Sequence, residues 1–264
     1  IIYIMSTLKN ILVNKNISCQ SVWFMRQAGR YLPEFRKIRS ENKDFINLCL
    51  NSNLSSEITL QPIKRYNLDS AIIFSDILMI PYGLGQEVKF VKNEGPILSK
   101  FELEKFLNNN KDQFIKKLSP IYNAISKTRE KLSKEKSLIS FIGAPWTLLI
   151  YMLNLKEGKS KINLSKLKEN KSNIKMIFEN LHQYLCAHIE NQINAGADTL
   201  QIFDSWAGLI HEDDLLNYCY IPNLKIVEFC KSKNIPVICF PKGIKENYLK
   251  FNNSVKPDGI NLDY

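Results

Sequence analysis

The chain carries six short apolar runs, and polar or conformationally special residues follow each of them. Continuous runs of this length predict strands that are buried on both faces, as in a parallel sheet. The runs are Val22–Met25, Ala71–Phe74, Leu138–Ile142, Leu200–Phe203, Val237–Phe240 and Gly259–Leu262. Because polar residues recur at the same end of these runs, the pattern predicts one edge of the sheet where they meet.

Apolar residues at helical spacing lie between the runs. Three helices are predicted: 53–66 with Asn53 as its N-cap, 173–195 ended by Gly196, and 212–232 kinked at Pro222. The polar residues 154–172, rich in Lys and Asn, are interpreted as a surface loop. Strands that alternate with helices in this way imply a parallel sheet, either doubly wound or closed as a barrel.

The position of the chemically interesting residues favours the barrel. They all follow strands, which is where a (β/α)8 TIM barrel places its active site. We therefore predict an α/β barrel domain over residues 21–264, after an N-terminal segment 1–20, with about six of the eight βα units present. Since the chain stops directly after a predicted strand, the sequence is interpreted as a truncated one.

Composition narrows the class of protein. No apolar run approaches the roughly 20 residues of a membrane span, so a soluble protein is expected. The net charge of +10 raises the alternative of a nucleic-acid-binding protein, but lysine is spread along the chain. Arginine is concentrated instead, and this favours planar, bidentate recognition of carboxylate or phosphate. Four arginines fall within one short stretch: Arg26, Arg30, Arg36 and Arg39.

Cysteine and histidine give no sign of a metal site. The six cysteines are scattered without a CxxC pair, which is typical of reduced thiols in a cytosol. They are Cys19, Cys49, Cys186, Cys219, Cys230 and Cys239. The three histidines, His182, His188 and His211, lie in or at the start of helical patterns and are interpreted as structural or surface residues.

The first candidate site is the stretch Arg26, Gln27, Ala28, Gly29 and Arg30. Two guanidiniums four residues apart share one face if the segment is helical, and a glycine lets the backbone approach a ligand closely. The pattern therefore predicts a site for an anion with several carboxylates. A pair of surface arginines in salt bridges is the alternative, and the position after an apolar run favours the binding site.

Three further candidates follow later runs. Asp76 could balance a developing positive charge at a barrel mouth, or simply cap the following helix. Tyr151 offers a hydroxyl on an apolar body a few residues after the small-residue turn 143–147. Ser205 is a hydrogen-bonding partner for a carboxylate, while its neighbour Trp206 is more typical of the core.

These segments resemble the uroporphyrinogen decarboxylase family. The resemblance rests on the stretches 22–36, 59–65, 71–77, 143–147 and 201–208, which occur in the order of the family's motifs, and it extends from about Val22 to Asp263. It implies a (β/α)8 barrel, usually a homodimer, that needs no metal or organic cofactor. The implied reaction, in porphyrin and heme biosynthesis, removes four acetate carboxyls from uroporphyrinogen III as CO₂ and gives coproporphyrinogen III.

The resemblance also implies residue roles. Arg26 and Arg30 would bind substrate carboxylates, one of them as a candidate proton donor, and Asp76 would accept the pyrrole N–H groups at the centre of the macrocycle. Tyr151 and Ser205 would hold peripheral carboxylates. The remaining substrate-binding residues are the three between the arginines: Gln27, Ala28 and Gly29.

The chain departs from the family at its C-terminal end. Family members continue beyond Asp263 and supply a late Gly-His-Gly segment whose histidine contacts the substrate. An unclosed parallel barrel has unpaired edges and an exposed core, so the sequence as written is expected to fold poorly or to be inactive.

Two other classes stay open at this point. Zinc-dependent methyltransferases share the fold, but they need His and Cys ligands after strands, and Cys239 has no nearby histidine in the sequence. A basic nucleic-acid-binding protein would show strong, salt-sensitive binding to random DNA. Tight binding of uroporphyrin at moderate salt would favour the decarboxylase over both.

Overall fold

The computed structural model describes residues 6–15, 20–91, 94–158 and 161–263. Five parallel strands form the main sheet, and two antiparallel hairpins lie outside it. The main strands are β1 (Ser70–Ile72), β4 (Ser137–Gly143), β7 (Thr199–Asp204), β8 (Val237–Pro241) and β9 (Gly259–Ile260). The hairpins pair β2 (Val88–Val91) with β3 (Gly95–Leu98), and β5 (Lys156–Glu157) with β6 (Lys161–Ile162).

The strand order decides between the two parallel architectures. The order is β1-β4-β7-β8-β9, so each strand of the main sheet lies next to the main-sheet strand that follows it in the chain. A doubly wound sheet reverses direction at a switch point, whereas a (β/α)8 barrel adds its strands consecutively. The α/β prediction is therefore confirmed, and the consecutive order is that of a barrel.

The first predicted strand is wrong. Residues 22–25 form no strand; they run beside the start of β1, where the Asp69 amide donates to the Val22 carbonyl at 2.9 Å. The side-chain nitrogen of Gln27, Nε2, also donates to the Ser70 carbonyl at 2.9 Å. These isolated bonds take the place of a regular ladder, and Val22, Phe24 and Arg26 are exposed rather than buried on a sheet face. The described sheet thus has five of the six predicted strands.

Helices pack against the sheet, most of them on its outer face. In the described residues they are α1 (Thr7–Asn14), α2 (Pro33–Glu41), α3 (Phe45–Cys49), α4 (Ser52–Arg65), α5 (Met79–Gly83), α6 (Leu103–Leu107), α7 (Lys111–Lys131), α8 (Pro145–Met152), α9 (Leu164–Glu169), α10 (Lys171–Asn194), α11 (Ile221–Ser232) and α12 (Tyr248–Val255). The predicted helix 53–66 is α4, but its N-cap is Asn51. The Asn51 side-chain oxygen accepts the amides of Asn53 and Leu54.

The predicted helix 173–195 is confirmed as α10, and the backbone turns out of it at Gly196 with φ of +108°. The predicted helix 212–232 is divided instead of kinked. A 3₁₀ turn and a π-helical turn (Leu216–Tyr220) come first, and Pro222 lies in the first turn of α11, where its missing N–H costs nothing. Residues 154–172 are not one loop, since they contain β5, β6 and α9.

Apolar residues of each strand alternate between two layers. The larger core lies between the outer face of the sheet and the helices. A smaller cluster on the inner face consists of Ile72, Ile139 and Ile238, with Leu8 and Leu12 of α1 packed against them. Helix α1 therefore covers part of the inner face near the amino ends of the strands, and the rest of that face borders a cavity.

The cysteines and the hydropathy of the helices can be compared with the sequence predictions. The described cysteines carry free thiols: Cys49, Cys186, Cys219, Cys230 and Cys239. Cys19 lies outside the described residues. No helix in the described part of the chain is both long enough and apolar enough to cross a membrane.

Candidate active site

A cavity of about 1550 Å³ lies over the inner face and the carboxyl ends of the strands. Its floor is aromatic and aliphatic, and its walls carry the polar residues that follow the strands. Six of the predicted site residues line it: Arg26, Gln27, Ala28, Asp76, Tyr151 and Ser205. The structure therefore brings together residues that lie up to about 180 positions apart in the chain.

Asp76 is the acidic group of this cavity. It follows β1, and its Oδ1 accepts the Leu78 amide at 2.8 Å, while Oδ2 has no partner among the described residues. Burial raises the pKa of Asp76 to about 6; the Leu78 N–H and the positive charge of Arg26 oppose this shift. The carboxylate is thus ionised at neutral pH but poorly solvated, which strengthens its attraction for a cation in the cavity.

The segment that carries Arg26 is a series of turns and bends, not a helix. The condition for a shared helical face of Arg26 and Arg30 is therefore not met. Gln27 fixes the segment: its side-chain oxygen accepts the Phe24 amide at 3.1 Å and its nitrogen donates to the Ser70 carbonyl at 2.9 Å. With both ends of the Gln27 side-chain amide occupied, the backbone next to Arg26 is fixed, and the exposed Arg26 lines the cavity beside β1.

Gly29 and Arg30 do not line the cavity in this structure. Arg30 is exposed, and its carbonyl accepts a hydrogen bond from the Arg36 guanidinium at 2.9 Å. A Cβ added to Gly29 would meet no heavy atom closer than 4.0 Å, so local packing does not demand glycine there. Their binding roles stay predictions that the geometry of this cavity does not explain.

Tyr151 enters the cavity from α8, the helix that follows β4. Its side chain is half-buried, and burial raises the pKa of the hydroxyl above its ordinary value. Its ring meets that of Trp206 edge to face, with centroids 6.0 Å apart. The phenol is therefore a neutral hydrogen-bond donor at any physiological pH.

The residue before Ser205 was not predicted as important, yet it organises this part of the wall. Asp204 is buried; its two carboxylate oxygens accept the Thr147 hydroxyl at 2.8 Å and the Asn223 amide at 3.1 Å. Thr147 in turn accepts the Trp206 amide at 3.2 Å. Asp204 thereby ties the turn after β7 to α8 and α11, while Ser205 is exposed to the cavity.

Sequence reasoning also missed Lys242 and Gly243, which line the cavity after β8. The signal was present, because both residues directly follow a predicted strand. No group of three His, Cys, Asp or Glu side chains within the described ranges is arranged to hold a metal ion. Chemically, the cavity combines cations on its walls, one poorly solvated carboxylate and neutral hydroxyl donors above an apolar floor.

Comparisons with known proteins show the family to which the chain belongs. The family model for uroporphyrinogen decarboxylase (URO-D) matches residues 5–264. A uroporphyrinogen decarboxylase of Rickettsia felis is 42% identical over 258 residues, which are 95% of this chain and 73% of that protein. One of Orientia tsutsugamushi is 42% identical over 262 residues, covering 95% of this chain and 74% of the relative.

A solved structure supports the fold independently. A methyltransferase from Methanosarcina mazei superposes with a TM-score of 0.74 over 96% of this chain and 74% of its own. Its sequence is 13% identical, so it bears on the architecture and not on the chemistry. Together with the family match over nearly the whole chain, the findings show that this chain belongs to the uroporphyrinogen decarboxylase family.

Proposed function

We propose that this protein is a carboxy-lyase that converts uroporphyrinogen III to coproporphyrinogen III by removing four acetate carboxyls as CO₂. The observation that carries the proposal is the Asp76 carboxylate, half-buried in a large cavity with Oδ2 free of partners in the described residues. A tetrapyrrole presents four N–H donors at its centre, and a fixed anion with a free oxygen suits that pattern.

Binding of the macrocycle would use the walls. The substrate carries eight carboxylates around its rim, and the apolar floor of the cavity accepts the rings. Arg26 would bind one rim carboxylate through its planar guanidinium, while Tyr151 and Ser205 would donate hydroxyl hydrogen bonds to others. Gln27 and Ala28 would contact the substrate from the same wall as Arg26.

The chemical step needs an electron sink. Protonation of the pyrrole carbon next to the one that bears the acetate makes the ring a cation with imine character, conjugated to the acetate-bearing carbon. The C–CO₂ bond then breaks, and its electron pair neutralises that cation. A proton added to the exocyclic carbon leaves a methyl group, and the ring proton is released. Asp76 would stabilise the cation electrostatically, and because all electrons stay within the substrate, the scheme requires no redox partner.

Arg30 and Gly29 belong to the proposal only through the family resemblance. Arg30 lies on the turn that leads from Arg26 to α2, so a substrate whose rim extends beyond the cavity would reach it. Homodimerisation and a cytoplasmic location are proposed on the same ground. Sedimentation analysis of the purified protein tests the first, and fractionation of the cells that express it tests the second.

Turnover is the direct test of the function. The full product of the gene is incubated anaerobically with uroporphyrinogen III, and the products are oxidised and separated by carboxyl number. We expect the tetracarboxylic product to accumulate. Failure to consume uroporphyrinogen, together with no binding of uroporphyrin, would overturn the proposed function.

The same assay on the 264 residues alone tests the expectation that the sequence as written folds poorly or is inactive. Cooperative melting with turnover would contradict that expectation. Aggregation, or binding of uroporphyrin without turnover, would agree with it.

The role of Arg26 has a matched control. Arg26→Met removes a guanidinium from the cavity wall, so we expect uroporphyrin binding to weaken about tenfold, the scale of one charge-assisted pair. Lys37→Met removes the same charge from an exposed position of α2 outside the cavity and should leave binding within about twofold. Equal losses in the two variants would mean that Arg26 acts only through the protein's net charge.

A further inference from the structure

Lys242 is a cation of the cavity to which neither the sequence motifs nor the family resemblance gave a role. It lines the cavity after β8, and it is exposed. Its Nζ has no hydrogen-bond or ion-pair partner among the described residues. An ammonium without a partner that faces a cavity lined with hydroxyl donors is available for an anionic ligand.

The sheet register places Lys242 beside Ser205. Asp204 of β7 is paired with Pro241 of β8, so the next residue of each strand extends from neighbouring positions. Asp204 is directed outward into its buried network, and residues one step further along a strand point to the opposite face. Ser205 and Lys242 are accordingly both exposed to the cavity.

The backbone of Lys242 is held firmly. Its amide donates to the Asp204 carbonyl at 3.1 Å, and its carbonyl accepts the Gly208 amide at 2.8 Å. Gly208 and Gly243 touch through their backbones, since a Cβ on Gly208 would lie 2.6 Å from the Gly243 oxygen. The loops after β7 and β8 therefore form one packed unit, and the lysine side chain starts from a fixed point.

The position of Lys242 is complementary to that of Arg26. Arg26 lies beside β1, whereas Lys242 follows β8, three strand spacings away in the sheet. At about 4.8 Å per spacing, β1 and β8 are about 14 Å apart measured along the sheet. Asp76, which follows β1, lies on the Arg26 side of this span.

We propose that Lys242 binds a peripheral carboxylate of the tetrapyrrole on the wall opposite Arg26, with the Ser205 hydroxyl donating to the same carboxylate; this rests on the proposed function. Two cations on opposite walls fix the rotation of the macrocycle in its plane. Without Lys242, only neutral hydroxyl donors would hold the far rim. Lys242 is thus a binding and positioning residue that does not take part in proton transfer.

The test compares three variants of the full gene product with uroporphyrin as the probe. Lys242→Met keeps the length of the side chain and removes its charge, and we expect the Kd to rise about tenfold and KM to rise in parallel, with kcat within about twofold. Lys242→Arg keeps the charge and should restore most of the affinity. Lys245→Met removes the same charge from an exposed position three residues on, outside the cavity, and should change the Kd by less than twofold.

Salt gives a second readout that a structural role would not move. At an ionic strength of about 1 M, where the Debye length is about 3 Å, the difference between the Lys242→Met variant and the unchanged protein should shrink. Unchanged affinity in Lys242→Met, or an equal loss in Lys245→Met, would overturn the proposal while leaving the decarboxylase function in place. If the unchanged protein bound no uroporphyrin, the function itself would be wrong and this inference with it.

Discussion

Asp76 and Asp204 occupy corresponding places in the fold and have opposite surroundings. Each follows a parallel strand, and burial raises the pKa of each to about 6. Asp204 is fully buried, and the Thr147 hydroxyl and the Asn223 amide occupy its oxygens. Asp76 has one amide partner and opens on the cavity.

A raised pKa therefore does not by itself mark a catalytic acid. Desolvation is the largest cause of the shift in both residues. The two carboxylates differ in their free hydrogen-bond acceptors. Both oxygens of Asp204 accept hydrogen bonds from neighbouring side chains, whereas Asp76 has one oxygen available for a ligand. A carboxylate with unused capacity in a cavity is suited to stabilising charge.

The largest effect should come from Asp76→Asn. The amide oxygen can still accept the Leu78 N–H, so the fold is retained, but the negative charge beneath the substrate is lost. We expect kcat to fall about 10³-fold, the scale of one preorganised electrostatic group. The free energy of unfolding at pH 7 should not fall, because a poorly solvated charge is removed. An unfolded variant would place Asp76 with Asp204 as a structural residue.

Asp204→Ala should show the reverse. It leaves the Thr147 hydroxyl and the Asn223 amide without their acceptors in a buried site, so the free energy of unfolding should fall by about 3 kcal/mol. Denaturant unfolding measures this, with Ser205→Ala as the neighbouring control that should change stability by less than about 0.5 kcal/mol. Unchanged stability in Asp204→Ala would remove the distinction between the two carboxylates.

Two glycines near opposite walls of the cavity differ in how closely the backbone packs around them. Gly208→Ala puts a Cβ 2.6 Å from the Gly243 oxygen, so the loops after β7 and β8 must separate, and we expect a loss of about 2 kcal/mol. The Cβ that Gly29→Ala adds near the other wall meets no heavy atom closer than 4.0 Å, so this variant should change the free energy of unfolding very little. Thermal melting of both variants decides, and equal melting temperatures would contradict the packed-loop account.

The elements with strong periodicity could be predicted from the sequence. Five of the six apolar runs are strands, and α10 was predicted nearly to its ends, because buried runs and long amphipathic patterns report directly on packing. The run 22–25 has the same apolar composition as the others. Its residues Val22 and Phe24 and the following Arg26 are nevertheless exposed, and no ladder forms there. Apolar composition cannot tell a strand from an irregular segment laid beside one.

The sequence predicts which residues belong to the site better than it predicts what each of them does. Asp76, Tyr151 and Ser205 follow strands and were found for that reason. Asp204 and Lys242 follow strands as well, and only tertiary contacts show that one points outward into a hydrogen-bond network and the other into the cavity. The separation of Arg26 from Arg30 depends on turns whose hydrogen bonds come from β1, far along the chain.

The pH dependence of kcat/KM between pH 5 and 8 shows whether the reaction depends on an ionised Asp76. Asp76 must be ionised to stabilise the ring cation, and its pKa is raised to about 6, so kcat/KM should fall tenfold per pH unit below that value and level off above it. The fall should be absent from the residual activity of Asp76→Asn, in which Asp204 and the carboxylates of the substrate still titrate. The same acid limb in that variant would show that Asp76 is not the group that the reaction depends on.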